Sequence, residues 1–219
     1  MRAFLRSNSL FLVILLAASC ASPYRNLVPA KVSGESALIY KPQYDKVLYR
    51  CTVNGRIVFK KFHLSGLLFF RQMENGTVRA IFQNEMGFTF FDFEWSKDDS
   101  FTVRQIIPEL DKPALVKTLR KDMNLLLMKG LDKNSEKSFT DSRGKRQYSR
   151  FTLSKGYAYY ISEAGKLEQI ENAGEKKKVI TIKLMGKEKD NAMPDSVFFD
   201  HHRANFTIAL HKIESHVDE

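Results

Sequence analysis

The stretch DKVLYRCTVNGRIVFKKF, residues 45–62, decides the fold class. Val47, Tyr49, Cys51 and Val53 alternate with Leu48, Arg50 and Thr52, the period of two that a half-buried strand shows. Asn54-Gly55 supplies the positive-φ pair of a tight hairpin, so Arg56 to Phe62 is expected to pair back. The same grammar runs on through Leu64–Gln72, Thr77–Gln83, Phe88–Trp95 and Phe101–Ile107. Turn signals at Glu74-Asn75-Gly76, Asn84–Gly87 and Lys97-Asp98-Asp99 separate these runs. The first half therefore reads as an antiparallel meander of about six short strands.

The period then changes. Pro108 closes the last strand, Asp111 is placed to cap a helix, and Pro113 sits in a first turn, where its missing N–H costs nothing. Leu115, Leu119, Met123, Leu126 and Leu127 fall on one stripe at steps of three and four, while Lys117 and Lys121 are expected to face water. Gly130 can end the segment in a left-handed turn. This is one amphipathic helix of about five turns, and the sheet is the only large partner for its apolar face.

Lys133–Lys145 is a polar connection, after which strand patterns resume at Tyr148–Leu153, Tyr157–Ser162, Leu167–Asn172, Lys178–Leu184, Ser196–Asp200 and Ala204–Ile213. The predicted architecture is mainly β (α+β): a curled antiparallel half-barrel of about 10–11 strands with one helix as lid or plug. Simple core packing accounts for any single phenylalanine of the aromatic-rich first half. One helix cannot cover ten strands, however, which favours a dry cavity. Its candidate lining and lid residues are Phe82, Phe90, Leu115, Leu119, Met123 and Leu126.

The chain opens MRAFLRSNSLFLVILLAASC. Arg2 and Arg6 precede an apolar run, Leu10–Ala18, too short to span a bilayer and of signal-peptide length. Residues 1–19 read as a signal peptide, and Leu16-Ala17-Ala18-Ser19-Cys20 as a lipobox with Cys20 as the lipidated N-terminus. Residues 20–44 read as a tether with a short strand near Ala37–Tyr40, and 45–219 as one domain. Cys51 is then left without a disulfide partner and reads as a buried thiol. The chain has 35 basic and 25 acidic residues; the first nineteen hold two basic ones and no acidic one, leaving +8 of the formal +10. That charge suits an anionic membrane surface. Nothing resembles a nucleic-acid motif.

Little suggests chemistry. His201 and His202 are adjacent, so on a strand they point to opposite faces and cannot chelate one ion; both are expected at the surface. No nucleophile elbow and no phosphate loop is present. The expectation is no enzyme, no metal and no cofactor. Two readings remain: a binder of lipid or acyl chains, or a non-catalytic scaffold lipoprotein whose surface recruits an envelope protein.

The lipobox, Leu64-Ser65-Gly66-Leu67 opening a long strand, the inserted helix, and Met193-Pro194-Asp195-Ser196-Val197 leading into Ala204–Ile213 together resemble the LolA/LolB superfamily of lipoprotein carriers and receptors. The resemblance implies an unclosed barrel with a helical lid, a cavity for acyl chains, and lipoprotein or lipid transfer at the outer membrane, facing the periplasm. It matches the lipid-anchored receptor branch. There a short loop presents an apolar residue to the membrane, a place taken here by Asn84-Glu85-Met86-Gly87 with Met86 at the tip. The chain departs from that branch in its shorter helical insert, its single tryptophan and its lysine-rich 176–178 loop.

Overall fold

A computed structural model of the chain describes residues 22–30, 36–57, 60–175, 177–186 and 191–213. The signal segment, Cys20 and Lys176 lie outside the described residues. The first strands are β1 (Val28–Pro29), β2 (Lys46–Ile57), β3 (Lys60–Gln72), β4 (Val78–Gln83), β5 (Thr89–Trp95) and β6 (Phe101–Ile106). The helix α1 (Pro113–Leu126) follows, then β7 (Lys137–Thr140), β8 (Arg146–Thr152), β9 (Tyr157–Glu163) and β10 (Lys166–Ala173). The last strands are β11 (Lys178–Met185), β12 (Ser196–His201) and β13 (Phe206–Lys212).

All pair in one open antiparallel sheet of 13 strands, ordered β1-β7-β8-β9-β10-β11-β12-β13-β2-β3-β4-β5-β6. The C-terminal strand joins the two meanders: β13 pairs with β2 from Phe206 opposite Gly55 to Lys212 opposite Tyr49. Alternation sends every second residue to one face, where Tyr49, Phe70, Phe82, Phe93, Trp95, Tyr160, Ile182 and Phe199 are buried in the same core as Leu119, Met123 and Leu126 of α1.

The strand count exceeds the expected 10–11 for two reasons. Lys137–Thr140, inside the polar connection, pairs with β8 as β7, and Val28–Pro29 adds a short edge strand to it. Neither carries the alternating signal that a half-buried strand needs. Conversely, Arg56–Phe62 and Leu64–Gln72 are not two strands. The β2–β3 ladder runs unbroken to Ile57 opposite Lys60, so Asn54-Gly55 lies inside β2 rather than at the turn. Gly55 is there for space: a Cβ on it would sit 2.2 Å from the Phe62 ring and 2.8 Å from Phe206 Cβ. The dipeptide resembles a turn signal because both uses, positive φ and close approach, select the same residue.

Much of the stretch expected to be a tether lies against the sheet. Tyr24 stacks on Tyr159 of the convex face with ring centroids 3.9 Å apart, and its hydroxyl donates to the buried carboxylate of Glu171. Residues 37–40 form a single 3-10 turn rather than a strand, capped by Ser36. The Tyr40 hydroxyl donates to the Gly165 carbonyl at 2.8 Å. No described helix is long and apolar enough to cross a membrane.

Candidate functional site

The helix α1 crosses the concave face and meets the sheet differently along its length. It begins at Lys112 with no side-chain cap, so Asp111 does not perform the capping expected of it; Pro113 takes the first helical position. Its 14 residues make about four turns rather than five. Gly130 takes the left-handed conformation expected of it, with φ 67°, and Met128 two residues earlier is left-handed as well, with φ 52°.

The second half of α1 is fastened to the sheet. Asn124 Oδ1 accepts from Trp95 Nε1 at 2.7 Å, and the Leu125 carbonyl accepts from the Tyr160 hydroxyl at 2.9 Å. Lys121 Nζ donates to Asn172 Oδ1 at 2.8 Å, and the Arg120 guanidinium lies 4.7 Å from the Phe101 ring centre. Asp122, fully buried, places Oδ2 2.8 Å from His201 Nε2. His201 in turn donates from Nδ1 to the Phe206 carbonyl at 3.1 Å and stacks on the Phe206 ring. Burial pushes the Asp122 carboxyl above its ordinary range, against the smaller opposing pull of His201 and Lys121. Its Oδ1 has no hydrogen-bond partner among the described residues.

Among the described residues, the first half of α1 makes no such bonds. Leu115 and Leu119, with Met123 and the preceding Leu110, roof an apolar cavity of about 250 Å³. The floor is Cys51 and Val53 of β2, Phe62, Leu64 and Leu68 of β3, Phe82, Phe91, and Phe206 with Ile208 of β13. Among the described residues the only charged one on the boundary is Glu109, which is exposed at the end nearer the β2–β3 turn. The Cys51 thiol is pushed up to about 12 by burial and stays neutral and unreactive. Such a cavity can take hydrocarbon and offers no group to activate it. No cluster of potential metal ligands occurs among the described residues.

Of the residues expected at this site, the structure brings Phe82, Leu115, Leu119 and Met123 together around the cavity. Leu126 is buried deeper, away from it, in the fastened half of α1. Phe90 does not line the cavity. A bulge between Phe82 and Gln83 turns it to pack against Phe82 and Phe88, with centroids 4.8 and 6.0 Å away. Met86 is 93% exposed at the β4–β5 turn, held open by Asn84 Oδ1, which accepts from the Met86 and Phe88 amides. Gly87 supplies the φ of 84° that the turn requires, and Phe88 beside it is 57% exposed. His201, expected at the surface, is buried, whereas His202 faces outward. The signal for this lay in α1: Asp122 falls on the apolar stripe between Leu119 and Leu126, where a carboxylate needs a buried partner.

A second, wider groove, bordered by Gln43–Lys46, Phe69 and Arg71–Asn75, is more open and mixes polar and apolar lining in about equal parts.

No family model and no curated protein matches the sequence. Solved structures do match. A LolA superfamily protein from Nitrosomonas europaea superposes with a TM-score of 0.54 at 8% identity, covering 83% of this chain and 93% of that one. An outer membrane lipoprotein-sorting protein domain from Vibrio parahaemolyticus gives 0.48 at 6% identity over 81% and 87% of the two chains. A DUF1329 family protein from Desulfovibrio piger gives 0.45 at 7% identity over 81% and 88%. The first of these carries the assignment. With its single open, curled antiparallel sheet and one helix lying across the concave face, the chain has the LolA/LolB-like fold.

Proposed function

We propose that this protein is a lipid-anchored component of the bacterial envelope that takes an acyl chain into the cavity beneath α1 and passes lipid or lipoprotein on at the outer membrane. The observation that carries the reading is the apolar chamber of about 250 Å³ roofed by the unfastened half of the helix. At about 30 Å³ for a water-sized group, a volume like this admits roughly eight methylene-sized groups, a single acyl chain rather than several. Dry apolar cavities lined by Leu, Ile and Phe bind hydrocarbon instead of water. The fold shared with a LolA superfamily protein supports the same ligand class. The lipobox ending at Cys20 supports the anchor, and the exposed Met86 supports a loop that touches the bilayer, since a flexible thioether in water has no packing role.

The direct test is native mass spectrometry of the purified protein together with displacement of a fluorescent fatty acid. Val53→Trp and Leu115→Trp, which project into the chamber, should abolish displacement while leaving the fold intact. Fatty-acid binding that survives both would mean that the chamber is not the site and that the scaffold role is correct. Met86→Glu should leave stability within about 0.5 kcal/mol of the parent, as exposed substitutions do, while lipid transfer to vesicles falls. Unchanged transfer would remove the loop from the function. Cys20→Ala should move the protein out of the membrane fraction on detergent phase partition.

A further inference from the structure

The basic residues of the sheet are unevenly spread. The six adjacent strands β11-β12-β13-β2-β3-β4 contain ten Lys or Arg: three in β2, three in β3, two in β11 and one each in β4 and β13. Asp200 is the single acid in those strands. The other seven strands hold five residues of each sign. The turns that join the six to one another carry three Lys or Arg and four acids, so the excess belongs to the strands themselves.

The register gathers part of this charge around an apolar row. Ile213, Leu48, Phe69 and Ile81 lie abreast on the outward face, at the end of β13 and across β2, β3 and β4. The row is about 14 Å long, three strand spacings. Two residues along the strands on one side, Lys46 stands opposite Arg71; two residues along on the other, Arg50 stands opposite Leu67. Each flank is about 7 Å from the row. Lys46, Arg50 and Arg71 are exposed and have no ion-pair partner among the described residues, whereas Arg79 beside Arg71 is bonded to Asp92. Asp45 and Glu74, the exposed acids nearest in sequence, lie off the strands in the border of the wide groove.

The outward face is covered on one half only. On β9 and β10, Tyr159, Ile161 and Ala173 pack against Tyr24 and Leu27 of the N-terminal segment. Leu48, Leu67, Phe69, Ile81 and Ile213 belong to neither apolar cluster of the described residues.

We infer that this row is a docking surface for an acidic segment of a partner protein. Its apolar side chains would cover Ile213, Leu48, Phe69 and Ile81, and its carboxylates would meet Lys46 and Arg71 on one flank and Arg50 on the other. Charge complementarity selects this occupant. A second copy of the chain would set the same cations face to face. A flat bilayer would reach only part of the row, because the row runs across the strands, the direction in which the sheet curls. Residues 214–219 follow Ile213 and hold three acids but one apolar side chain, Val217, too little to cover four. The inference goes beyond the acyl-binding reading and does not depend on it.

The test places p-benzoylphenylalanine at Phe69 of the full chain, in the cells that make it, and cross-links with ultraviolet light. An adduct with one other protein is expected, its linked peptide carrying carboxylates beside apolar residues. Arg50→Glu/Arg71→Glu should lower its yield on the order of tenfold. Lys133→Glu/Lys155→Glu makes the same change in net charge at exposed sites beside β8, five strands from β13 and so about 24 Å away, and should lower it less than about twofold. All four positions are exposed, so both double variants should unfold in urea as the parent does. Equal losses in the two variants would overturn the inference, because net charge alone would then explain the adduct. A phospholipid adduct, one made of this chain alone, a linked peptide without acids, or no adduct would overturn it too. Val53→Trp, which fills the chamber, should abolish fatty-acid displacement and leave the adduct unchanged, so the two readings fail separately.

Discussion

The two halves of α1 look alike in sequence and do opposite things. Residues 113–119 rest on an apolar chamber and form no hydrogen bond to the sheet among the described residues. Residues 120–125 are tied to it by Trp95, Tyr160, Asn172, Phe101 and His201. The apolar stripe is continuous through both, so its periodicity reports only that the helix lies on something. Whether that something is packed solid or hollow depends on the facing strands. A lid needs one end secured by directional bonds and the other held by contacts that cost little to break.

The strongest way to break this contrast is to remove the buried pair. His201→Ala leaves the Asp122 carboxyl without its partner inside the core and removes a ring stacked on Phe206. A loss of about 3–5 kcal/mol is expected in urea unfolding. Asp122→Leu combined with His201→Phe should restore most of it, because a well-packed apolar pair replaces the hydrogen-bonded one without stranding a buried polar group. If the double variant were as unstable as the single, the fastened half would depend on the polar bond itself rather than on the filled space.

Leucine truncation sharpens the contrast at lower amplitude. Leu126, 2% exposed and away from the cavity, should lie in the upper part of the range of about 2–5 kcal/mol for burial-to-alanine changes. Leu119, 6% exposed on the chamber roof, should lie in the lower part, since it already faces empty space on one side. Equal losses would mean that the first half of α1 is packed as tightly as the second.

These contrasts mark how far the sequence could be read. The alternation of residues 45–107 and 148–213 and the stripe of α1 give a curled sheet with one helix, because periodicity is a local consequence of which face is buried. The lid side of the chamber was legible for the same reason in Leu115, Leu119 and Met123. Four features were not legible. Gly55 resembles a turn because close approach to Phe62 and positive φ both select glycine. Strands β1 and β7 are short, four residues or fewer, and β1 is a strand only through its pairing with β7. Phe90 is rotated out of the cavity by a bulge that leaves no mark in the alternation. His201 looks like half of a surface pair until Asp122, on an apolar stripe 79 residues away, is seen to face it.

The pH dependence of the fastened half follows from Asp122. Burial raises its carboxyl above the ordinary value near 3.8, so the folded protein holds that proton more tightly than the unfolded chain does. Its contribution to stability is fully present below the unfolded value and is lost as pH rises through the folded one. Asp122→Asn keeps the shape and cannot titrate. The stability of the parent relative to this variant should therefore decline as pH rises above the ordinary carboxyl value of 3.8 when both are unfolded in urea. A relative stability that rises with pH would show that attraction to His201 outweighs the burial of the carboxyl.

The smallest effect separates two lysines one turn apart, both of which the helical pattern assigns to water. Lys117 lies in the unfastened half and is exposed. Lys121 is partly buried, its proton affinity is lowered mainly by burial, and its Nζ reaches Asn172 on β10. Asn172 is itself buried, and its amide nitrogen donates to the Tyr157 carbonyl at 2.9 Å, so losing the ammonium leaves the Oδ1 acceptor without that donor. Lys121→Ala should therefore cost about 1 kcal/mol, the usual net worth of one hydrogen bond in a half-buried setting. Lys117→Ala should fall within about 0.5 kcal/mol of zero. Lys121→Met keeps the length and apolar stem of the side chain while removing the donor, which tells lost packing from a lost bond. If Lys121→Met is as stable as the parent, the contact with Asn172 fastens nothing, and the secured half of α1 is held by Asn124, Leu125, Arg120 and the Asp122–His201 pair alone.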